Sequence, residues 1–421
     1  MEYVERKAYL GRMRPFVGNG NAKIVSGIRR SGKSTFLRGL DGIVEGKVLR
    51  IDMELWENRA LRDPDSLYRR IRSAIDDGYR TIVIDEIQDV KEWQGVVRSL
   101  IAEQNCDIFI SGSNSKLLSG EFATLLTGRY NMMEMFTLTF PECIEFAGDR
   151  QNPGAYAVLD RFLRVGGFPS VWKNEYSESE ALSEVKGIVD SILMRDIVSR
   201  YDIRRPDLLE KILRFLCDTM GSRVSINSIH AALSSTEGKL SKDLVYSYVS
   251  HLESACLIYK AEAYDVKGKR ILTSAYKYYP ADVGIKNVVC GFRPDDIQGY
   301  VENIIFLHMR SRGYDVWIGD CLGKEIDFIC RKGSDSVYIQ ATTRLADEKV
   351  VDREFGSLRK VRDSHPKFVV VLENSHLDAD MDGIKCVKLT DFLMMFRCLR
   401  TVRRRAFRGV CRFDATLLRY Q

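Results

Sequence analysis

At 421 residues the chain is long for one ordinary domain and fits two to four. Apolar residues make up 45% and charged residues 29%, an ordinary globular balance, and no apolar run approaches the roughly 18 residues of a membrane span. The net charge of +6 belongs to the end of the chain: residues 397–421 hold eight arginines against one aspartate, so the other 396 residues sum to −1. Such a tail suits phosphates or an acidic partner, and equally a solvated extension. The first residues, MEYVERKAYLGRMR, are charged from the second position and do not read as a secretory signal. Ten cysteines lie singly between Cys106 and Cys411 with no CxxC pair, as expected of reduced thiols in a cytoplasmic protein.

In chain order, the first 145 residues alternate short apolar runs with helix-like stretches: AKIVSG, VLRIDM, TIVIDE, DIFISG and then MEMFTLTF. Strands separated by helices predict a parallel α/β sheet over residues 1–145. Residues 146–204 read as a helical connection, broken at 165–170 by VGGFPS, a loop or hinge signal. Residues 205–289 read as short helices and a hairpin. Residues 290–395 return to mixed α/β with strands DVWIG, EIDFIC, SVYIQA and KFVVVLE, and 396–421 are the arginine-rich tail.

The first chemistry-bearing motif is Gly27-x4-Gly32-Lys33-Ser34, placed between the apolar run KIVS and a helical pattern. Glycines there let backbone N–H groups point at phosphate oxygens, and the following helix adds its positive end. Lys33 is expected at the β- and γ-phosphates, Ser34 on Mg²⁺, and Arg30, Ser31 and Thr35 complete the binding loop from Gly27 to Thr35. The run TIVIDEI ends in Asp85 and Glu86, and two carboxylates at a buried strand end need a reason. Mg²⁺ supplies one for Asp85, and Glu86 is then placed to polarise a water. Ser113 or Asn114, after the next strand, either orients that water or caps a helix. Arg129 follows a glycine before another strand, where it either stabilises charge at the γ-phosphate or lies on the surface.

The ordered set GIRRSGKST, VIDEIQDV, ISGSN, LLTGRY and LTFPECIEF resembles the AAA+-type ATPases of the archaeal and bacterial ATPase group. The resemblance implies a P-loop AAA+-like domain, ATP with Mg²⁺, and nucleotide-handling roles for the loop, for Asp85 and Glu86, and for Arg129 from its own or a neighbouring subunit. It also implies a C-terminal domain of unknown function built from a winged helix and a restriction-endonuclease-like fold.

SKDLVYSYVSHLESACLIYKAEAYD begins with a serine N-cap, and Leu244, Val245, Tyr248, Val249 and Leu252 recur at helical spacing. A hairpin with KGKR at its turn follows, the layout of a winged helix. The expected outward residues Lys242, Tyr246, His251 and Glu253 are a mixed set. DNA contact therefore stands beside a protein-interaction or purely structural role. Residues 300–345 resemble the PD-(D/E)xK nuclease core, with Glu302 and Asp327 matching its acids. Gln340 and Thr342 stand where the second strand's acid and lysine belong, and Arg344 is expected on the same strand face. A degenerate fold kept for binding or assembly is the expectation.

The sequence thus predicts an ATP-hydrolysing switch or remodelling protein with a protein or nucleoprotein target and no membrane, and it admits a homo-oligomer. An ATP-dependent DNA-binding nuclease and a nucleotide-bound scaffold without turnover are the alternatives.

Overall fold

The computed structural model describes residues 5–103, 105–113, 126, 128–148, 154–268, 270–373 and 380–395. Its N-terminal third holds five strands: β1 (Ala22–Ser26), β2 (Lys47–Asp52), β3 (Tyr79–Asp85), β4 (Asp107–Gly112) and β5 (Tyr130–Glu134). They pair in parallel in the order β2-β3-β4-β1-β5. All five residues of β1 are buried, as in a sheet covered on both faces. Ala22 and Ile24 point to one face, where Ile71 and Val97 of the helices Pro64–Asp76 and Trp93–Glu103 pack. Val25 points to the other, against Phe36 and Leu37 of the helix Lys33–Arg38 and Leu10 of the helix Lys7–Met13. The parallel sheet expected of this region is present.

One expected strand is shorter than its apolar run. MEMFTLTF was expected to be extended throughout, but β5 stops at Glu134 and a helix, Phe140–Ala147, begins within it. Thr139 and Glu142 form a capping box and Pro141 occupies the first turn, so local helix-start chemistry overrides the apolar pattern.

The remainder forms an eight-stranded sheet flanked by helices. Its strands are β6 (Arg223–Val224), β7 (Ile258–Asp265), β8 (Arg270–Pro280), β9 (Asp315–Cys321), β10 (Lys324–Lys332), β11 (Asp335–Thr342), β12 (Lys367–Val371) and β13 (Lys385–Lys388). The order is β13-β12-β11-β10-β9-β7-β8-β6. The expected hairpin is the antiparallel pair β7–β8, turned at 265–268 by Asp265, whose carboxylate accepts from the amides of Lys267 and Gly268. It does not stand free. β7 pairs in parallel with β9, Ala263 opposite Ile318, so hairpin and C-terminal strands share one sheet. In the helix Lys242–Ser254, Val245, Tyr248, Val249 and Leu252 are buried as the spacing predicts, and Tyr246 is exposed. His251 departs from its outward expectation: its ring stacks on Tyr201 at 3.9 Å.

The VGGFPS stretch is clamped. Gly167 donates its amide to Asp282 Oδ2 at 2.8 Å. A Cβ on Gly166, at φ +79°, would fall 1.7 Å from Asp282 Oδ1, and one on Gly167 would fall 2.3 Å from the Leu138 carbonyl. Glycine is needed for this close approach. One hydrophobic core runs from Ile28, in the loop after β1, through Phe136, Leu138 and Phe140 to Leu393, joining the two sheets.

Candidate nucleotide site

The loop after β1 turns through left-handed or otherwise glycine-favouring conformations at Gly27 (φ +146°), Arg30 (φ +66°) and Gly32 (φ +98°) before the helix Lys33–Arg38 starts. Gly27 is obligatory, since a Cβ there would lie 2.0 Å from the Met135 carbonyl. Lys33 is buried and folds back over the loop, its Nζ donating to the Gly27 and Ile28 carbonyls at 3.0 and 3.1 Å. Ser31 Oγ is buried with no hydrogen-bond partner among the described residues. A buried hydroxyl without a partner is costly, and a phosphate oxygen would relieve it. Ser34 is half-buried, while Arg30 and Thr35 are exposed.

Because β4 lies between β3 and β1, Asp85 and Glu86 reach the same sheet end as the loop, with the end of β4 between them. Asp85 accepts from the Ser111 hydroxyl of β4 and lies within hydrogen-bonding reach of Ser34. Burial pushes its carboxyl up, against the opposing pull of those two hydroxyls. Glu86 is buried in a left-handed conformation (φ +54°), its amide donating to Ser111 Oγ at 3.2 Å. Its Oε2 accepts from Ser113 Oγ at 3.2 Å and from Gln88 Nε2. Lys33, Ser34, Asp85 and Glu86 are therefore brought together, and Ser113 with them. The set fits a nucleotide triphosphate with a divalent cation: a lysine and loop amides for phosphate, a hydroxyl and a carboxylate for the metal.

Arg129 is not brought to this loop. It is exposed, and its carbonyl accepts from the Ala22 amide at the opening of β1, whereas the loop leaves the other end. The separation is about one five-residue strand, roughly 15 Å at about 3.3 Å per residue. Asn114 lies outside the described residues.

Two braces escaped the sequence reading. Arg6 donates to the Ser31 and Phe136 carbonyls at 3.1 and 2.8 Å and makes a two-pronged pair with Glu142 at 2.8 Å, fixing the loop against the end of the sheet. Arg29, inside the loop, forks onto Asp196 at 2.9 and 3.1 Å and reaches Glu54 at 2.9 Å. Glu54 also accepts from Arg195 at 2.9 Å. Both Asp196 and Arg195 sit on a π-helical turn, Ile192–Val198. Burial opposes the charge on Arg29, but the Asp196 contact outweighs it and the guanidinium is held more firmly protonated.

Residues 19–144 match the AAA domain family, and residues 157–296 match a domain of unknown function. An uncharacterized protein of Haemophilus influenzae is 32% identical over 400 residues, covering 93% of this chain and 98% of its own. Another, of Methanocaldococcus jannaschii, is 30% identical over 308 residues, covering 69% and 67%. Among solved structures, the Thermotoga maritima RuvB Holliday junction branch migration motor is similar with a TM-score of 0.32 at 17% identity, over 61% of this chain and 88% of its own. The replication initiator DnaA bound to AMPPCP and single-stranded DNA gives 0.32 at 16% identity, over 60% and 90%. At these scores neither structure informs the function of this chain. The chain belongs to one family with the uncharacterized Haemophilus influenzae protein, and its residues 19–144 are an AAA domain.

Proposed function

We propose that this protein binds and hydrolyses ATP at the Gly27–Thr35 loop and uses the cycle to switch or remodel a protein or nucleoprotein target. The reading rests on one observation, the meeting of Lys33, Ser34, Asp85 and Glu86 at a single sheet end. Lys33 leaves the Gly27 and Ile28 carbonyls for the phosphates, and the loop amides and Ser31 hydroxyl complete the cradle. Ser34 and Asp85 would hold Mg²⁺, which would supply charge neutralisation on the phosphates. Glu86, released from Gln88 and Ser113, takes a proton from the attacking water. Arg129, at the far end of β1, serves the site of a neighbouring copy in a homo-oligomer.

What the cycle moves follows from Arg29. It ties the phosphate loop to the π-helical turn that leads into the C-terminal half, so a change in loop shape is felt at Asp196. The deciding experiment is steady-state ATP hydrolysis by wild type and Glu86→Gln, each with and without duplex and single-stranded DNA. Turnover that is lost in Glu86→Gln and indifferent to DNA supports a protein target. Turnover stimulated by DNA makes the target nucleoprotein, and absence of turnover under all conditions sinks the proposal in favour of a scaffold.

A further inference from the structure

The endonuclease-like resemblance carries with it a divalent cation held between Glu302, Asp327 and the residue at position 340. The residues present do not fit that group. Glu302, on the helix Ile297–Ser311, and Asp327, in β10, are both buried and converge on the ammonium of Lys277, from β8 of the hairpin. Lys277 Nζ lies 3.0 Å from Glu302 Oε2, 2.7 Å from Glu325 Oε1 and 3.7 Å from Asp327 Oδ1. Much of the remaining bonding capacity is spent. Glu302 also accepts from the Tyr279 hydroxyl at 2.9 Å and from Gln298 Nε2 at 3.3 Å. Asp327 Oδ2 accepts from the Ala341 amide at 2.8 Å, and the Gln340 side-chain oxygen accepts from the Asp327 amide and the Ser357 hydroxyl.

The cluster is also covered. Gly221 closes over it so tightly that a Cβ there would come 3.2 Å from Glu302 Oε2. Next to it Arg223, opposite Lys277 in the β6–β8 pairing, binds Glu325 at 2.7 Å. Arg344, expected on the strand face, lies beyond the end of β11 and is exposed. Among the described residues no group of three His, Cys, Asp or Glu side chains is placed to hold a metal ion.

We propose that Lys277 is a built-in cation: its ammonium holds the place among Glu302, Glu325 and Asp327 that a divalent metal takes in the endonuclease arrangement. The cluster therefore fastens the hairpin to the C-terminal strands and takes up no metal. The charges agree with this. Burial by itself would lower the Lys277 pKa, but Glu302, Asp327 and Glu325 outweigh it and raise it. Burial, followed by the charge of Glu302, pushes Asp327 well above the usual carboxylate range. Lys277 and Arg223 already face these carboxylates, Lys277 within 3.7 Å of all three and Arg223 2.7 Å from Glu325, so the position a metal would need is taken by cations of the chain itself. The inference is independent of the ATPase reading, since it concerns no residue of the phosphate loop.

The test is a Mn²⁺ titration of the full, nucleotide-free chain, followed by the electron paramagnetic resonance signal of free Mn²⁺. Wild type, Asp327→Asn and the half-exposed Glu325→Gln are expected to bind the same amount. A Mn²⁺ equivalent present in wild type and missing in Asp327→Asn overturns the proposal and restores the metal. In parallel, Lys277→Met is expected to lower Tm by roughly 10 °C, because it strands buried carboxylates. Lys277→Met with Glu302→Gln should regain at least about half of that loss. A Lys277→Met protein melting within about 1 °C of wild type also overturns the proposal. Should Lys277→Met not fold, the titration of the other three proteins decides alone.

Discussion

Under the proposed function, Lys33 is the residue on which nucleotide binding would turn. In the structure its ammonium is satisfied by two carbonyls of its own loop, so Lys33→Ala leaves those carbonyls and the phosphates without their cation. ATP affinity is expected to fall at least tenfold, read by competition with a fluorescent nucleotide, with little change in Tm in its absence. Glu86→Gln keeps a side chain that Gln88 and Ser113 can hold, yet lacks a base. Turnover should drop by roughly 10²–10⁴ while ATP affinity stays within about threefold, a split between chemistry and binding that a misfolded loop would not give. Arg129 asks for a different experiment, because its own loop is a strand away. Arg129→Ala and Lys33→Ala should each be inactive alone, and mixing them should restore turnover. A Lys33→Ala subunit still offers its arginine to a neighbour whose loop is intact. No recovery on mixing would rule out action across a subunit boundary.

Among elements, the shape of the Gly27–Thr35 loop was legible in the sequence because everything that forms it is local. The glycine spacing, the buried strand before it and the helix after it lie within 17 residues, Ala22–Arg38. Asp85 and Glu86 were legible for a similar reason, as charges ending an apolar run. Arg29 was not, since it fills one of the unspecified positions of the glycine motif and its partner Asp196 stands 167 positions away. Arg6 was missed likewise, with Glu142 136 positions distant. Lys277 was passed over because a single lysine in a strand, here among the tyrosines of AYKYY, reads as an outward side chain, whereas it is 3% exposed. The Arg29–Asp196 pair is nearly dry, with side chains 10% and 4% exposed. Removing Asp196 leaves Arg29 with only the half-exposed Glu54 as its partner, at a cost of up to about 3–5 kcal/mol. Asp196→Ala is therefore expected to destabilise the protein by that order in urea unfolding. Arg29→Met combined with Asp196→Leu should destabilise it less than Asp196→Ala alone.

For the whole molecule, the junction between the two halves encloses a carboxyl that makes stability depend on pH. Asp282, at the start of the helix Val283–Cys290, accepts from the amides of Gly167 and Gly284 and is fully enclosed. Burial pushes its carboxyl up to about 6, against the pull of the Thr137 hydroxyl and those two amides. A folded-state pKa above the unfolded one means that the native protein holds more protons between the two. Its contribution is thus full below about pH 4 and is lost as pH rises through about 6, on the order of 3 kcal/mol. Asp282→Asn cannot ionise, so the Tm of wild type should fall relative to that variant between pH 4 and pH 7. Parallel Tm profiles would show that Asp282 does not titrate there. The same junction also bears on truncation. Ile28 of the phosphate loop and Phe136 of the sheet end belong to the core of the other half, and Arg310 reaches back to Glu134 at 2.8 Å. A fragment ending at residue 145 is expected to bind ATP at least tenfold more weakly than the full chain.

The parallel seam between β7 and β9 has a consequence for how the chain is made. During synthesis the hairpin Ile258–Pro280 emerges well before Asp315, where its neighbour begins. Until then the outer side of β7 carries unpaired amides and carbonyls, a template for any passing strand. A nascent chain halted between residues 281 and 314 would hold that bare edge open, and the same strand of a sister chain could occupy it before the proper partner arrives.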